Sequence, residues 1–400
     1  MNSLKICKLH PRIFTPEMPA RPAVTEIYGK YLPKMGHDVT WICPSDENNI
    51  RKRQYKNLEI ITIPRVTSGG LLNKTWDIIN YYKTLREKFE GVDRKKRFDI
   101  VQVRNSIDYS FLLMNSLKDE TPFVFQYSFP KSRYKYEENM LRYVMGFRDS
   151  LLIFPILKRS DFVFPISKRM KKDLVQKGIA KSKMMPVPMG VDEKKFSPGI
   201  KSDSVIDKYN LKDKIVVGYV GSMSTRRVNA LKKLIHGFEK VINNFSESTL
   251  LMIGDGSGKG RLMEVTKQLG IGENVIYTGQ VPYSKVPHYT SASDIILSLV
   301  PDFPIYQESS PTKLVEGMAC GKPVVANREI PDHREVIYES EGGKLVDLKP
   351  TSIANGIIYL IENPDVREDM GEKGREWIVE NRSYGEIAKE IEKVYYDLID

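Results

Sequence analysis

Short apolar runs of strand length alternate with segments of helical periodicity along most of this 400-residue chain. Strands that alternate with helices are typical of βαβ units, in which the strands form a parallel sheet and the helices cover its faces. The strand-like runs of the first half are 4–9, 38–44, 58–63, 98–103, 123–127 and 162–166. The pattern therefore predicts an α/β fold with a doubly wound, Rossmann-like parallel sheet.

The alternation stops once, in a polar stretch at 193–213 that contains Pro198 and Gly199. Stretches of this kind often separate domains. New strand-like runs follow at 214–221, 250–253, 274–279 and 294–300. We therefore predict an N-terminal domain over 1–196 and a C-terminal domain over 213–382. Residues 383–400 are predicted to form a C-terminal helix, for which a return to the N-terminal domain is one arrangement.

The chain has an ordinary globular composition with an excess of basic residues, and its formal net charge is +11. Such a charge favours an anionic partner, for example an acidic ligand or a polyanionic surface. Nucleic-acid binding would need a clustered basic stripe with interleaved aromatic residues. Only 131–136 approaches that pattern, so we expect no nucleic-acid partner.

The cysteines and the apolar blocks indicate the cellular compartment of the protein. Cys7, Cys43 and Cys320 lie in or beside apolar runs without metal-ligand spacing, and we expect them to be buried and reduced, as in a cytoplasmic protein. We expect no signal peptide and no membrane span, because the first residues lead directly into a strand-like run and the longest apolar block, 151–157, is too short to cross a bilayer.

The segment 140–159 has apolar residues at helical spacing, with Arg142, Arg148, Lys158 and Arg159 between and after them. An amphipathic helix in a membrane interface has this composition, and so has a core helix with a basic outer face. We favour the core helix, although the basic charge is also compatible with peripheral association with the inner membrane face.

The stretch from Glu308 to Glu316 predicts a loop that leads into a short helix. Ser310 is a suitable N-cap and Pro311 a suitable first helical residue. The first backbone N–H groups of this helix would lack intrahelical partners and would point, with the positive end of the helix dipole, at an anion. These groups belong to Thr312, Lys313 and Leu314.

Ligands of parallel α/β sheets bind beyond the carboxyl ends of the strands. In the second half, Arg226 and Arg227 follow the first strand, and guanidinium groups opposite open N–H groups make a site for a diphosphate. Gly254 and Gly256 follow the second strand, in a tight turn where the backbone can approach a ligand. The loops of the first half carry His10, Arg12, Arg21, Arg104, Asn105, Ser128, Lys131 and Arg133, which suit a cationic cleft face or ordinary polar loops.

Together these residues resemble the retaining glycosyltransferases of family four. The landmarks are 36–40, 98–103, 161–167, 188–192, 218–221, 253–256, 274–279 and the E-x(7)-E pattern from Glu308 to Glu316, followed by Met-Ala-x-Gly-x-Pro-Val-Val-Ala. Each landmark is weak evidence alone, but together their order and spacing are strong evidence, and they cover nearly the whole chain. The resemblance implies the GT-B architecture, in which two Rossmann-like, doubly wound parallel-sheet domains face each other across a cleft, the first for the acceptor and the second for the nucleotide-sugar donor.

The resemblance also implies roles for the site residues. Glu308 would contact the donor sugar, Glu316 the nucleotide ribose, and the amides of 312–314 the diphosphate. The basic pair of the family is half matched, because Ser222 stands where an arginine is frequent. Arg227 would therefore carry the leaving-group charge, with Arg226 as a helper, and Glu308 and Arg227 are the catalytic candidates. The other donor-side residues are Gly221, Ser222, Gly254, Gly256, Ser310 and, near the base by family position, Val281 with Gln280.

The sequence departs from the family on the acceptor side. The glycine-rich loop usual near the start of the first domain is here 16–22, which contains no glycine, and Ser128 stands where a histidine is frequent. The acceptor-side candidates are Arg21, Arg104, Asn105 and Ser128. The acceptor stays open among a glycan, a lipid-linked sugar and a small alcohol.

Three functions are compatible with the sequence. The favoured one is transfer of a sugar from a nucleoside-diphosphate sugar to an acceptor hydroxyl, with retention of anomeric configuration. Because no aspartate-rich metal motif stands out, we expect neither a metal nor another cofactor. The second is isomerisation by a UDP-sugar 2-epimerase of the same fold, and the third is non-enzymatic binding of an anionic ligand.

Overall fold

The computed structural model describes residues 3–11, 22–47, 49–55, 57–65, 71–117, 120–130 and 140–400. The chain divides into two compact units. One consists of Met1–Pro188 together with Tyr384–Asp400, and the other of Met189–Ser383.

The first unit is built on one seven-stranded sheet. Its strands are β1 (Lys5–Leu9), β2 (Asp38–Ser45), β3 (Arg51–Tyr55), β4 (Leu58–Pro64), β5 (Ile100–Arg104), β6 (Phe123–Tyr127) and β7 (Phe162–Pro165). The order across the sheet is β3-β4-β2-β1-β5-β6-β7, and every pair is parallel except β3 with β4. Its helices are α1 (Pro22–Glu26), which continues through a π turn (Ile27–Tyr31) into α2 (Leu32–Lys34), then α3 (Leu71–Lys96), α4 (Ile107–Met114), α5 (Met140–Arg159) and α6 (Lys168–Gln176).

The strand β3 has no counterpart in the sequence prediction. Its sequence, Arg-Lys-Arg-Gln-Tyr, contains no apolar alternation, and it pairs antiparallel with β4 at the edge of the sheet. Charged side chains are common on edge strands, since they discourage pairing with another chain. Hydrophobic periodicity therefore missed a strand that contributes little to the core.

The second unit is built on a six-stranded sheet in which every pair is parallel. Its strands are β8 (Ile215–Val220), β9 (Ser248–Ile253), β10 (Val275–Gly279), β11 (Ile295–Ser298), β12 (Val324–Asn327) and β13 (Gly343–Val346), in the order β10-β9-β8-β11-β12-β13. Its helices are α7 (Asp203–Tyr209), α8 (Val228–Ile242), α9 (Lys259–Gln268), α10 (Val286–Ser291), α11 (Thr312–Ala319), α12 (Pro331–Ser340), α13 (Pro350–Glu362) and α14 (Pro364–Arg382). The strand order reverses between β8 and β11, which places a ligand-binding crevice at their carboxyl ends. The prediction of two doubly wound parallel-sheet domains is confirmed.

The division between the units lies upstream of the predicted polar boundary. Residues from Met189 onward belong to the second unit because the side chain of Arg375, on α14, holds the segment that follows them. Its guanidinium donates to the backbone oxygens of Phe196 and Ala319, both at 2.7 Å, and of Glu193 at 2.9 Å. The ring of Phe196 is fully buried in the core of this unit. The polar composition of 193–213 thus marks a segment of turns and one short helix, α7, within a single domain.

The last helix, α15 (Tyr384–Ile399), belongs to the first unit. Ile391 and Tyr395 are fully buried in the core beside β1, β2 and β5. The hydroxyl of Tyr395 donates to Gln102 of β5, and Glu392 lies 2.7 Å from Nε2 of His37.

Two smaller expectations concern the cysteines and the membrane. Cys7, Cys43 and Cys320 are buried and unpaired, as predicted. Within the described ranges, no helix combines the length and apolar character required to span a bilayer.

Arg375→Met is expected to lower the free energy of unfolding by roughly 2–4 kcal/mol, because it removes three charge-assisted hydrogen bonds and leaves partly buried carbonyls without a donor. Arg367→Met is the matched control, since Arg367 lies on the same helix and its guanidinium donates, among the described residues, to the carbonyl of Leu360 alone, at 3.2 Å. Urea unfolding of both variants measures the difference. Equal losses would contradict the role given to Arg375.

Candidate functional site

The loop after β8 forms one side of the candidate site. Gly221 follows the last residue of β8 and has φ +152°, and a Cβ there would lie 3.1 Å from Nζ of Lys313 and 3.4 Å from the hydroxyl of Tyr219. A side chain at this position would displace the lysine. After Ser222 the chain forms a 3₁₀ turn (Thr225–Arg227) and enters α8.

Gly254 and Gly256, after β9, pack against the backbone of that loop. Both have positive φ, and a Cβ on Gly254 would lie 2.2 Å from the oxygen of Gly221. On Gly256 it would lie 2.6 Å from the carbonyl carbon of Met223. The sequence predicted a close backbone approach here, and the neighbour in the structure is the β8 loop itself. Glycine at both positions therefore sets the shape of the site.

The helix α11 begins one residue later than predicted. Its N-cap is Pro311, with φ −74° and ψ 121°, and no side chain caps the helix. Ser310 fails as an N-cap because its hydroxyl donates to Asp332 Oδ2 at 2.8 Å and accepts from the N–H of Met189 at 3.0 Å. The N–H groups expected to lack intrahelical acceptors are still those of Thr312, Lys313 and Leu314.

A buried ion pair fixes the loop before α11. Arg382, on α14, donates from Nη2 to Asp332 Oδ1 at 3.0 Å, and the two side chains are only 5% and 2% exposed. Nη1 of the same arginine lies 3.4 Å from the hydroxyl of Ser310. Removing one partner of such a pair leaves a buried charge, which is strongly destabilising. The loop geometry at Ser310 is therefore tied to α12 and α14.

Lys313 joins α11 to β8. Its ammonium donates to the hydroxyl of Tyr219 at 3.1 Å and lies 4.2 Å from the centre of the Tyr219 ring. Burial lowers the pKa of Lys313 well below its usual value, the charge of Arg227 lowers it further, and Glu316 opposes the shift. The sequence predicted only the backbone N–H of this residue as a binding group, whereas the structure gives its side chain a place beneath the site.

Arg227 ends the loop that follows β8 and contacts the loop that follows β11. Its guanidinium carbon is 5.4 Å from the centre of the Tyr306 ring. Nη1 is buried, and among the residues that the structure describes it has no hydrogen-bond acceptor. A buried cationic donor without an acceptor is costly, and an anionic ligand would satisfy it.

Glu316 is buried and accepts a hydrogen bond from the hydroxyl of Tyr283, with an O–O distance of 2.9 Å. Burial raises the pKa of Glu316 to about 7, against the opposing effects of the Tyr283 bond and of Lys313. Sequence analysis missed Tyr283. Its only signal was its position just after β10, at the carboxyl edge of the sheet.

Glu308 is also buried, 4% exposed, and lies in the loop two residues before Ser310. Below this loop, Ser298 at the end of β11 hydrogen-bonds Nε2 of His333 at 2.9 Å, while Nδ1 of His333 lies 2.9 Å from the oxygen of Asn327. Burial lowers the pKa of His333 to about 4, which keeps the ring neutral at physiological pH. No sequence pattern pointed to His333.

The structure thus brings Gly221, Arg227, Lys313 and Glu316 to one edge of the second sheet. Among the other donor-side candidates, Ser222 is exposed and Arg226 is half-buried. Val281 is half-buried and packs against the core of the unit, so its side chain has a structural role.

Three acceptor-side candidates, Arg104, Asn105 and Ser128, lie at the carboxyl ends of β5 and β6. Asn105 has φ +52°, and its Oδ1 accepts from the N–H groups of Ser128 and Phe129 at 2.7 and 3.1 Å. Asn105 therefore organises the loop and also lines a small pocket with Tyr127, Phe129 and Asp149. Arg104 is buried. The remaining candidates, Arg21 and the more general cationic positions Arg12, Lys131 and Arg133, lie outside the described residues.

An unpredicted buried cation lies near Arg104. Lys8, on β1, is fully buried and donates to Gln126 Oε1 at 3.0 Å, with its ammonium 3.6 Å from the centre of the Tyr28 ring. Burial, followed by the charge of Arg104, lowers the pKa of Lys8 well below its usual value. The carboxyl ends of β1 and β5 therefore carry two buried cationic side chains.

Comparisons with known proteins assign the chain to a protein family. The family model described as Glycosyltransferase Family 4 matches residues 24–195, and the model described as Glycosyl transferases group 1 matches residues 202–377. The chain belongs to glycosyltransferase family 4. An uncharacterized glycosyltransferase of Methanocaldococcus jannaschii is 26% identical over 362 residues, which cover 88% of this chain and 86% of that protein.

Solved structures confirm the GT-B fold of this family 4 chain. Sucrose-phosphate synthase from Thermosynechococcus elongatus is similar with a TM-score of 0.73 at 18% identity, over 99% of each chain. Anabaena HepE, solved in complex with UDP-glucose, is similar with a TM-score of 0.71 at 15% identity, over 98% of this chain and 100% of that chain.

The buried carboxyl of the family 4 E-x(7)-E motif makes stability depend on pH. Folding raises the pKa of Glu316 from 4.5 to about 7. The stabilising effect of the protonated Glu316 carboxyl is therefore fully present below about pH 4.5 and is lost as the pH rises to about 7. Relative to Glu316→Gln, the free energy of unfolding of the wild type should fall across this range by a value on the order of 3 kcal/mol.

Urea unfolding at several pH values checks this difference. Glu264→Gln, on the exposed surface of α9, is the control and should keep the wild-type pH profile. Parallel profiles for the wild type and Glu316→Gln would refute the raised pKa.

Proposed function

We propose that this protein transfers a glycosyl group from a nucleoside-diphosphate sugar to an acceptor hydroxyl, with retention of anomeric configuration. The observation that carries the proposal is the buried Nη1 of Arg227, which has no acceptor among the described residues. Arg227 lies at the same edge of the second sheet as the first turn of α11. A guanidinium and open helix N–H groups together suit a diphosphate.

The donor diphosphate is bound by charge and by the backbone. The N–H groups of Thr312, Lys313 and Leu314 bind its oxygens, and Arg227 neutralises the charge that develops on the leaving group. Lys313 adds positive potential from below, close to Gly221. This potential compensates for Ser222, which stands where a second arginine is frequent in the family.

The two glutamates bind the sugars of the donor. Glu316, oriented by the hydroxyl of Tyr283, accepts hydrogen bonds from the ribose hydroxyls. Glu308 contacts the transferred sugar, and its burial keeps water away from that contact. Since only the ionised carboxylate accepts from both ribose hydroxyls, donor affinity should increase as the pH rises through about 7.

The chemical step is a substitution at the anomeric carbon. The bond from this carbon to the diphosphate oxygen breaks, and the acceptor oxygen forms a new bond on the same face of the sugar. The acceptor proton passes to an oxygen of the departing diphosphate, so the step needs no protein nucleophile. Arg227 and the helix dipole stabilise the leaving group, and we therefore expect the reaction to proceed without a metal ion.

Relatives named for a transfer activity support transfer over isomerisation. They include the N-acetyl-alpha-D-glucosaminyl L-malate synthase of Bacillus anthracis, 28% identical over 44% of this chain, and the alpha-monoglucosyldiacylglycerol synthase of Streptococcus pneumoniae, 24% identical over 92%. These names indicate a small hydroxy acid and a lipid as the respective acceptors, so a small alcohol and a lipid both stay open for this chain. The pocket beside Asn105 is our candidate for part of the acceptor site.

A thermal-shift panel of UDP, GDP and ADP selects the donor base, because a ligand bound only by the folded state raises its apparent stability. With the selected sugar nucleotide, release of nucleoside diphosphate measures turnover, with water as the acceptor where no alcohol is known. Arg227→Met and Glu308→Gln should each lower this rate by at least about 100-fold.

Arg261→Met is the matched control for Arg227→Met, since Arg261 is exposed on α9. It should keep the wild-type rate, and circular dichroism should show all variants folded. A Glu308→Gln enzyme with the wild-type rate would refute the role of Glu308. Conversion of the sugar nucleotide to its C2 epimer, without release of nucleoside diphosphate, would refute transfer.

A further inference from the structure

The outer face of α5 differs from the basic face favoured by the sequence. The buried residues of the helix are Gly146, Asp149, Ile153, Ile156 and Leu157. On the opposite face lie Met140, Val144, Phe147 and Leu151, which are 75%, 55%, 53% and 62% exposed. The apolar periodicity of 140–159 therefore reflects two faces of α5, of which one packs into the core and the other is exposed.

This second face is continuous. The spacing of four, three and four residues places Met140, Val144, Phe147 and Leu151 on one stripe about 16 Å long. Leu141, Tyr143 and Met145 flank the stripe and are also exposed, at 70%, 48% and 40%. Large exposed apolar side chains elsewhere in the described part of the chain, such as Met263 and Tyr338, do not form a comparable row. A contiguous apolar surface of this kind marks an interaction site.

The width of the apolar surface favours a lipid bilayer over a second helix. A coiled-coil contact needs a narrow stripe with polar residues at both edges. Here the flanking residues Leu141, Tyr143 and Met145 are themselves apolar or aromatic, so the surface extends well beyond such a stripe. Helices that lie in a membrane interface have broad apolar faces of this kind.

The charges around α5 favour anionic lipid. Its one acidic residue, Asp149, is buried, whereas Lys158 and Arg159 are exposed at its C-terminal end. Lys177, after α6, adds a third cation there, since its ammonium is 5.6 Å from the centre of the Phe154 ring. Arg148 pairs with Asp108 at 3.1 Å and so contributes less. The α5 helix of a second copy carries the same cations and would supply no anionic partner for them.

We propose that α5 docks the first unit onto an anionic membrane surface. The stripe from Met140 to Leu151 enters the boundary between head groups and acyl chains, and Lys158, Arg159 and Lys177 contact the anionic head groups. The helix lies parallel to the membrane plane and does not cross the bilayer.

Co-sedimentation with vesicles tests the proposal without reference to catalysis. The full chain should bind vesicles of phosphatidylcholine mixed with phosphatidylglycerol, bind phosphatidylcholine vesicles more weakly, and lose part of the binding in high salt. The double variant Phe147→Asp/Leu151→Asp should bind at least roughly tenfold more weakly, because the burial of each side chain is worth more than a tenfold change in affinity.

The matched control is Met263→Asp/Tyr338→Asp, which replaces two exposed apolar side chains of the second unit with the same charges. It should bind as the wild type does, and unchanged thermal unfolding should show that all variants are folded. Equal binding by the two double variants, or no binding by the wild type, would overturn the proposal. So would a wild-type dimer in lipid-free buffer that the α5 variant converts to a monomer without any vesicle binding.

Discussion

The candidate donor site depends on a buried lysine that has no carboxylate within ion-pair distance among the described residues. The ammonium of Lys313 instead contacts the hydroxyl and the ring of Tyr219, and a Cβ on Gly221 would lie 3.1 Å from it. Burial of a charge is costly without a partner, and the nearby Arg227 increases that cost. Arg227 and Lys313 therefore concentrate basic groups at the N-terminal end of α11. A diphosphate would balance the positive potential of these groups. Its binding energy would then come from reduced electrostatic repulsion as well as from new hydrogen bonds.

The surrounding structure holds this arrangement by contacts that are distant in sequence. The ion pair between Asp332 and Arg382 fixes Ser310, which sets the position at which α11 begins. The glycines after β9 allow their loop to pack directly against the backbone of the β8 loop. Tyr283 reaches Glu316 from the loop after β10. The site is therefore assembled from four strand ends, and its geometry depends on the packing of the whole second unit.

Much of the fold was predictable because local patterns carry it. Apolar alternation located most strands to within one or two residues, and Pro311 marked the start of α11 correctly to within one position. The errors have a common physical cause. Ser310 was expected to cap the helix because no local pattern shows that Asp332 occupies its hydroxyl. The domain boundary was placed too late because the three carbonyl contacts of Arg375 are invisible in sequence, and β3 was missed because an edge strand needs few apolar residues.

The central claim is that the N–H groups at the start of α11 bind the donor diphosphate, and NMR of the amide groups tests it directly. A protein labelled with ¹⁵N at threonine, lysine and leucine is titrated with the nucleoside diphosphate that the protein binds best. The resonances of Thr312, Lys313 and Leu314 should show the largest downfield proton shifts, with the corresponding nucleoside, which lacks phosphates, producing much smaller ones. If the nucleoside diphosphate binds and these three resonances stay unchanged, the account of the site is wrong.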